Sequence, residues 1–375
     1  MPVEYDAVIV GAGLSGLSLA SRLAESPWAD RRILIIDDGH HDIRTRSWAY
    51  WTRDTAGLSP ATTGSWDAIA VHAAGSSAVL PISPYRYVAV SGERLNNLLL
   101  SRLSESRNVE FISGTADSVR DDGDLAVITL DGTSVTANWA FDSRPMTPAS
   151  TGPRLDFVGW EVETDTDVFD PTVATFMDFR GREPGTVSFC YLLPTTPRHA
   201  LVEIAAFRWT REAQDLARAL PDYLRKVCHV PSWSVTRTEA GSLPLAQPPV
   251  DVHAGRVISI GVRGGMLKPS TGFAVERIQR HSAAIVRSLQ HSGHPHAVAA
   301  HDRWHGWLDR VFLHVLRRDP DIVEDVMARL FSRNGAPAVL RFLDEDSNPI
   351  QEARLFASLP ASPFLRAAIR PRVTS

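Results

Sequence analysis

Ala7, Val8, Ile9 and Val10 form an apolar run without alternation. A strand exposed on one face alternates, so an unbroken run predicts a strand buried on both faces, as in a parallel sheet. Gly11, Gly13 and Gly16 follow at once, and Leu14, Leu17, Leu19, Ala20, Leu23 and Ala24 then repeat at helical spacing. A second apolar run, Ile33–Ile36, predicts another buried strand, so the first forty residues read as a βαβ unit. Further along, Ser134–Ala140 and Arg256–Ile260 are strand-like, and Ala274–Leu289 has the spacing of a helix. In the stretch 200–207, alternation places Leu201, Glu203 and Ala205 on one face and Val202, Ile204 and Ala206 on the other. Leu308–Leu316, followed by Arg317 and Arg318, reads as an amphipathic helix that either packs with its polar side solvated or rests on an anionic lipid surface.

The glycines carry the first chemical signal. In GxGxxG between a strand and a helix, the first glycine permits the tight turn. The second lets backbone approach a pyrophosphate, and the third lets helix pack on strand. Asp37 stands 21 residues past Gly16, near the separation expected of an acid that binds a ribose hydroxyl, with Asp38 as a solvated neighbour. The bland reading is a glycine turn without a ligand. Far downstream, Gly261, Gly264 and Gly265 lead into Ser270, Thr271 and Gly272 just before the second long helix. A strand, a glycine-rich loop and a fresh helix N-terminus can hold a second set of phosphate oxygens. A chain that returns late to the same ligand points to FAD rather than NAD; the alternative is a capped surface helix. Asp142 and Arg144, after the Ser134–Ala140 strand, either face that cofactor or form a surface pair.

Composition narrows the function classes. A chain of 375 residues suits two joined domains, and 44% hydrophobic with 22% charged residues is ordinary for a globular protein. The formal net charge of −4 offers no basic field for nucleic acid. Cys190 and Cys228 form no CxxC pair, and no Cys, His or acidic set has a familiar metal spacing. No basic-then-apolar leader opens the chain and no run of about 18 apolar residues occurs, so a cytoplasmic protein is expected, with peripheral contact at the inner membrane face left open. The Ser/Thr/Pro-rich stretch Met146–Pro153 is read as a crossing between domains.

Several segments together resemble the lycopene β-cyclase family of flavoproteins. They are GAGLSGLSLA at 11–20, RSWAYW at 46–51, YRYV at 85–88, FDSRP at 141–145 and FVGWEVE at 157–163. FMDFR at 176–180, FCYLLP at 189–194, LVEIAAF at 201–207 and GSLPL at 241–245 follow, then IGVRGGMLKPSTGF at 260–273, FLDEDS at 342–347 and LPASPFL at 359–365. Each string is unspecific; their order and spacing from Asp6 to about Ala367 are not. The resemblance implies an α/β fold: a Rossmann-like FAD-binding domain of the glutathione-reductase or hydroxylase type, an interleaved β-sheet substrate domain and a C-terminal helical region. Expected ranges are 1–80, 100–150 and 241–300 for the first, 81–99 and 151–240 for the second, and 301–375 for the third. It further implies reduced FAD, with NAD(P)H as a candidate external reductant, in a reaction without net redox change on a long apolar polyene. A carboxylic acid protonates the terminal double bond, a neighbouring double bond closes a six-membered ring, and proton loss leaves a ring alkene. A cyclase of another prenyl chain and a flavin monooxygenase are the competing readings.

Such chemistry needs an acid kept protonated by apolar surroundings and aromatic faces that stabilise a cation without trapping it. Glu203 is an acid in an otherwise apolar strand, either an active-site acid or half of a buried ion pair. In many relatives a second acid and a threonine follow this glutamate; here Ile204 and Ala205 stand there, as Met266 and Leu267 replace a bulkier or polar pair. Asp178, flanked by Phe176, Met177 and Phe179, is a second proton-donor candidate, or the partner of Arg180 in a salt bridge. Trp48, Tyr50, Trp51 and Trp160 are candidate substrate contacts or core aromatics, and Arg46 either meets the cofactor phosphates or caps the surface.

Overall fold

The computed structural model describes residues 4–54, 57–73, 75–145, 152–210, 215–246, 253–298 and 302–369; most of the expected crossing, 146–151, lies outside them. Strand β1 (Tyr5–Val10) feeds helix α1 (Leu14–Ala24), and β2 (Ile33–Asp37) returns beside β1 in parallel. The chain then leaves this layer through β3 (Ser47–Thr52), β4 (Thr62–Trp66) and the hairpin of β5 (Ala68–Ala73) and β6 (Ser76–Pro81). It comes back through β7 (Arg86–Ser91), α2 (Gly92–Ser104), β8 (Val109–Ser113), β9 (Ala116–Asp121), β10 (Ala126–Leu130) and β11 (Thr133–Asp142). Next come β12 (Arg154–Glu163), β13 (Ala174–Asp178), β14 (Val187–Thr196), β15 (His199–Arg208), the one-turn α3 (Ala219–Asp222) and β16 (Ser234–Pro244). Short strands β17 (His253–Ala254) and β18 (Val257–Ser259) precede α4 (Val275–Ser292). Helices α5 (Arg303–Arg318), α6 (Ile322–Asn334), α7 (Ala336–Leu343), α8 (Pro349–Ala357) and α9 (Ala361–Ile369) complete the chain's described part.

The first sheet runs β17-β18-β11-β1-β2-β8, parallel from β18 to β8, with β10 and β9 added antiparallel to β11. This is the Rossmann-like arrangement, and both faces of β1 and β2 are buried, as their unbroken apolar runs require. Leu17, Leu23, Leu95, Leu99, Ile278 and Ile285 pack α1, α2 and α4 over one face. Helix α4 stops at Gly293, whose φ of 72° closes the last turn in a left-handed conformation that costs glycine little.

Among the described residues the second sheet has seven strands in the order β16-β12-β15-β14-β13-β5-β6, and β3-β7-β4 form a small third sheet. These pairings correct the expected ranges. Residues 68–81 lie in the second sheet, because β5 pairs with β13 and buries Ile69 and Val71 in the same core as Phe176. Residues 92–99 belong with the first sheet, because Leu95 and Leu99 of α2 join its core. Strand β16 carries the second sheet on to Pro244. The inner face of that sheet shares a core with β3, β7 and the C-terminal helices, while its outer face is covered by the segment around α3.

Candidate active site

The first site is built at the carboxyl end of β1. At Gly16 a Cβ would lie 1.9 Å from the Gly11 carbonyl oxygen, so helix and strand could not come together with any side chain there. Gly13 differs: it caps α1 without a side-chain hydrogen bond, and a Cβ on it would meet nothing within 4 Å. The helix N-terminus therefore opens onto free space with its amide donors uncovered, a cradle for a diphosphate. The Asp37 carboxylate accepts from the Ala12 amide at 2.6 Å and the Gly39 amide at 2.8 Å, which fixes it at the rim of this cradle.

The late loop reaches the same place. A Cβ on Gly261 would lie 3.0 Å from Ser15 Cβ, so Gly261 approaches the first turn of α1. The Gly264, Gly265 and Met266 amides donate back to Ile260, Val262 and Gly261, folding the loop on itself. Thr271 and Gly272 donate to the Lys268 carbonyl, and Ser270, Thr271 and Gly272 form the turn before α4, whose N-cap Ala274 offers no side-chain cap. Asp142, at the end of β11, is buried between Arg144 at 2.9 Å and Arg263 at 3.1 Å, so it braces the two loops against each other. Arg46 goes elsewhere. Its guanidinium donates to the Ala240 carbonyl of β16 at 2.5 Å, so it joins the small sheet to the second sheet instead of meeting the glycine turn.

The second site lies on the inner face of the second sheet. Gly159 pairs with Glu203 on one side and Glu239 on the other, which puts three residues in a row across β15, β12 and β16. A Cβ on Gly159 would sit 3.3 Å from Glu203 Oε2 and 3.3 Å from Glu239 Oε1. The missing side chain thus leaves a slot flanked by two carboxyl groups. Glu239 is buried; its Oε2 accepts from Arg237 at 3.1 Å, and its Oε1 has no hydrogen-bond partner among the described residues. Arg237 also holds Glu161 at 2.7 Å and Ser47 at 2.5 Å. Among the described residues Glu203 has no salt-bridge partner, and burial, reinforced by the Glu239 charge, pushes its carboxyl up to about 8.

Aromatic rings fill the space beside this row. Tyr191 is the cross-strand partner of Glu203, and Tyr87 is buried with its hydroxyl unpartnered among the described residues. Phe176 stands at the centre, with ring centroids at 5.5 Å from Tyr87, 6.2 Å from Tyr191, 6.0 Å from Trp51 and 6.1 Å from Phe273. Burial raises the phenols of Tyr87 and Tyr191, so both stay neutral. Tyr50 and Trp51 also line a small cavity with Phe273, Glu276 and Asp344. Burial pushes Asp344 up to about 6, and burial raises Glu276 as well.

Two of the expected site residues lie on the opposite face of the second sheet from Glu203. Asp178 pairs with Cys190 and is sealed on the outer face, where its carboxylate takes Arg180 at 2.7 Å and the Tyr223 hydroxyl at 2.9 Å. It is the ion-pair partner, with its oxygens committed. Trp160 follows Gly159 and so points away from Glu203, packing with the outer core. The three aromatics of β3 separate: Trp48 and Tyr50 turn to the first core, and Trp51 to the aromatic cluster. Sequence reading missed Glu239 and Gly159. The alternation of β16 carries no apolar signal, and only the pairing of three strands distant in sequence brings them to Glu203.

This architecture, a parallel dinucleotide-binding sheet joined to an antiparallel sheet, is that of FAD-binding flavoproteins of the hydroxylase type. One solved example is HpxO of Klebsiella pneumoniae complexed with FAD: TM-score 0.61 at 13% identity, covering 92% of this chain and 100% of that one. The chain also matches the model of the lycopene cyclase protein family over residues 6–369, and it belongs to that family. It is 26% identical over 297 residues to lycopene beta-cyclase of Paracoccus sp. (strain N81106 / MBIC 01143), a match covering 73% of this chain and 71% of that protein. It is 23% identical over 296 residues to chloroplastic lycopene beta cyclase of an Oncidium hybrid cultivar, covering 72% and 61% respectively. Among the described residues no helix is long and apolar enough to cross a membrane.

Proposed function

We propose that the protein is an FAD-dependent cyclase that closes a six-membered ring at the end of a linear, lycopene-like polyene, with Glu203 as proton donor. The observation that carries this reading is the placement of Glu203 between Gly159 and Tyr191 on an aromatic-lined sheet face, with no salt-bridge partner among the described residues, where burial and then the Glu239 charge push its carboxyl up to about 8. At neutral pH such a carboxyl is mostly protonated and can give its proton to a terminal double bond. The tertiary cation so formed lies among ring faces that stabilise positive charge and carry no nucleophile ionised at that pH. Attack by the neighbouring double bond closes the ring, and loss of a ring proton yields an isomer of the substrate.

FAD fits the first site: the open cradle over Gly13, the Asp37 carboxylate at its rim, and the Gly261 and Ser270–Gly272 loops beside it. Reduced FAD held there, with an external donor such as NAD(P)H as the source of electrons, would supply an electron-rich ring system able to favour positive charge. Asp142 holds the loops that receive it, and no hydride need leave it for substrate. The family relation to proteins named lycopene beta-cyclase supports the polyene class of substrate. The substrate is apolar, and contact with a membrane surface that supplies it belongs to the same proposal.

Anaerobic incubation with reduced FAD and lycopene tests this. The expected product has the substrate mass and a changed polyene spectrum, and Glu203→Gln retains FAD binding while losing turnover. A product that has gained oxygen or lost hydrogens would replace the reading with a monooxygenase or dehydrogenase. Turnover confined to a shorter prenyl chain would keep the mechanism and change the substrate.

A further inference from the structure

Resting on the cyclase reading, we infer that Glu203 and Glu239 act as one acid–base pair that keeps a single proton, the two carboxyl groups converging on the space left by the missing Gly159 side chain. Three observations lead here independently of the sequence. The two carboxyl groups flank one point at 3.3 Å each. Arg237 occupies only Oε2 of Glu239, leaving the buried Oε1 turned to the slot without a donor among the described residues. Glu203, for its part, has no salt-bridge partner among the described residues. Two carboxyl groups this close in a low-dielectric site cannot both ionise cheaply, so one keeps a proton. Arg237 bonds to Glu239 and not to Glu203, so the proton is kept on Glu203.

The arrangement assigns both proton steps to one place. Glu203 breaks its O–H bond and the proton forms a C–H bond at the terminal alkene, whose electron pair it uses. The second alkene's pair closes the ring. A ring C–H then breaks, its electron pair becomes the ring double bond, and its proton returns to the carboxyl pair. Between the two steps the pair is doubly ionised, and that repulsion drives recapture of the proton before water can trap the cation. Glu239 is thus a positioning residue: it sets the proton affinity of Glu203 and need not touch substrate. Other polar groups near the pair are Tyr191 of β14, Tyr87 of β7, Glu161 of β12 and Arg237 of β16; His199 of β15 lies 3.9 Å from Glu161, and Arg46 before β3 is bound to the Ala240 carbonyl next to Glu239 along β16. Of these, Tyr87 and Tyr191 stay neutral, and Arg237 and Glu161 neutralise each other in part.

Isotope-edited infrared titration of the Glu203 carboxyl, on the FAD-loaded full chain, reads the pair directly. Glu239→Gln should lower the Glu203 midpoint by about one pH unit or more, and the alkaline limb of the kcat profile should move with it, at unchanged KM for the polyene. Arg237→Gln should move the midpoint the other way, because it frees the Glu239 charge. Opposite shifts support the pair; a midpoint that ignores both substitutions overturns it. If Glu239→Gln does not fold, the upward shift in Arg237→Gln alone decides. The infrared titration needs no turnover, so a failed cyclase assay with the predicted midpoint shifts would refute the substrate reading and leave the pair intact.

Discussion

Lys268 Nζ lies 3.2 Å from Asp309 Oδ1, and both side chains are 5% exposed. Lys268 belongs to the loop beside the first turn of α1, and Asp309 to the C-terminal helix α5. A second carboxylate, Glu345 after α7, meets the same ammonium at 2.8 Å and Arg277 of α4 at 2.6 Å. Burial alone would raise Glu345, yet Lys268 and Arg277 together hold it below the ordinary carboxylate range. The helical region is therefore clamped to the Lys268 loop by buried charge, not only by apolar packing.

Removing one partner of such a network leaves charge buried without compensation. Asp309→Asn should destabilise the protein by about 3 kcal/mol, seen as a lower urea midpoint at an unchanged slope. It should also expose the α5–α9 region to limited proteolysis ahead of the rest. A loss within about 0.5 kcal/mol, the range of ordinary surface substitutions, would show that Glu345 alone satisfies Lys268.

Gly13 and Gly16 should respond oppositely to alanine. At Gly13 φ is −73° and the added methyl meets nothing, so the fold should tolerate it while the methyl intrudes on the diphosphate cradle. Gly13→Ala should keep its melting temperature without cofactor and bind FAD at least tenfold more weakly. Gly16→Ala drives a methyl into the Gly11 carbonyl and should lower stability before any ligand is added. Equal effects of the two on apo stability would remove the distinction between cradle and packing contact.

The glycine unit could be read from sequence because everything it needs is local: a strand, a turn and a helix adjacent in the chain. Glu203 was also readable, since one acid in an apolar alternating strand stands out. Which sheet face each acid takes was not. Asp178 and Glu203 both sit in apolar strands, and only pairing with Cys190 on the outer face and Tyr191 on the inner face separates them. Glu239 escaped for a related reason: its strand, SVTRTEAGSLP, is an edge strand with polar residues on both faces. The expected range ending at residue 80 failed because strand length and composition do not reveal which of two sheets an edge hairpin joins.

Asp178→Asn and Trp160→Phe should affect folding more than chemistry. The Asp178 carboxylate is buried, but Arg180 is 40% exposed and can be rehydrated, so the loss should be about 2 kcal/mol, below that of a fully buried pair. Turnover per folded molecule should stay within about twofold of the parent, a change worth less than 0.5 kcal/mol at the barrier. A hundredfold fall in kcat for Asp178→Asn with an intact fold would restore it as a proton donor and displace Glu203.

Glu203 should leave its signature in the pH dependence of stability. Its carboxyl lies near 8 in the fold, against an ordinary value of 4.5, because burial and then the Glu239 charge oppose ionisation. Below about 4.5 folded and unfolded chains both carry the proton, and the group's contribution is fully present. As pH rises toward 8 the unfolded chain releases the proton and the folded chain retains it, so this contribution is progressively lost. The loss should be on the order of 3 kcal/mol, allowing for partial exposure of the side chain. Glu203→Gln carries no titrating proton, so its stability relative to the parent should improve by that amount between pH 4.5 and pH 8.5. Urea unfolding of both proteins at the two pH values measures the difference. A stability gap that is the same at both would mean that Glu203 ionises as readily in the fold as in water, and a group of that kind could not serve as the proton donor.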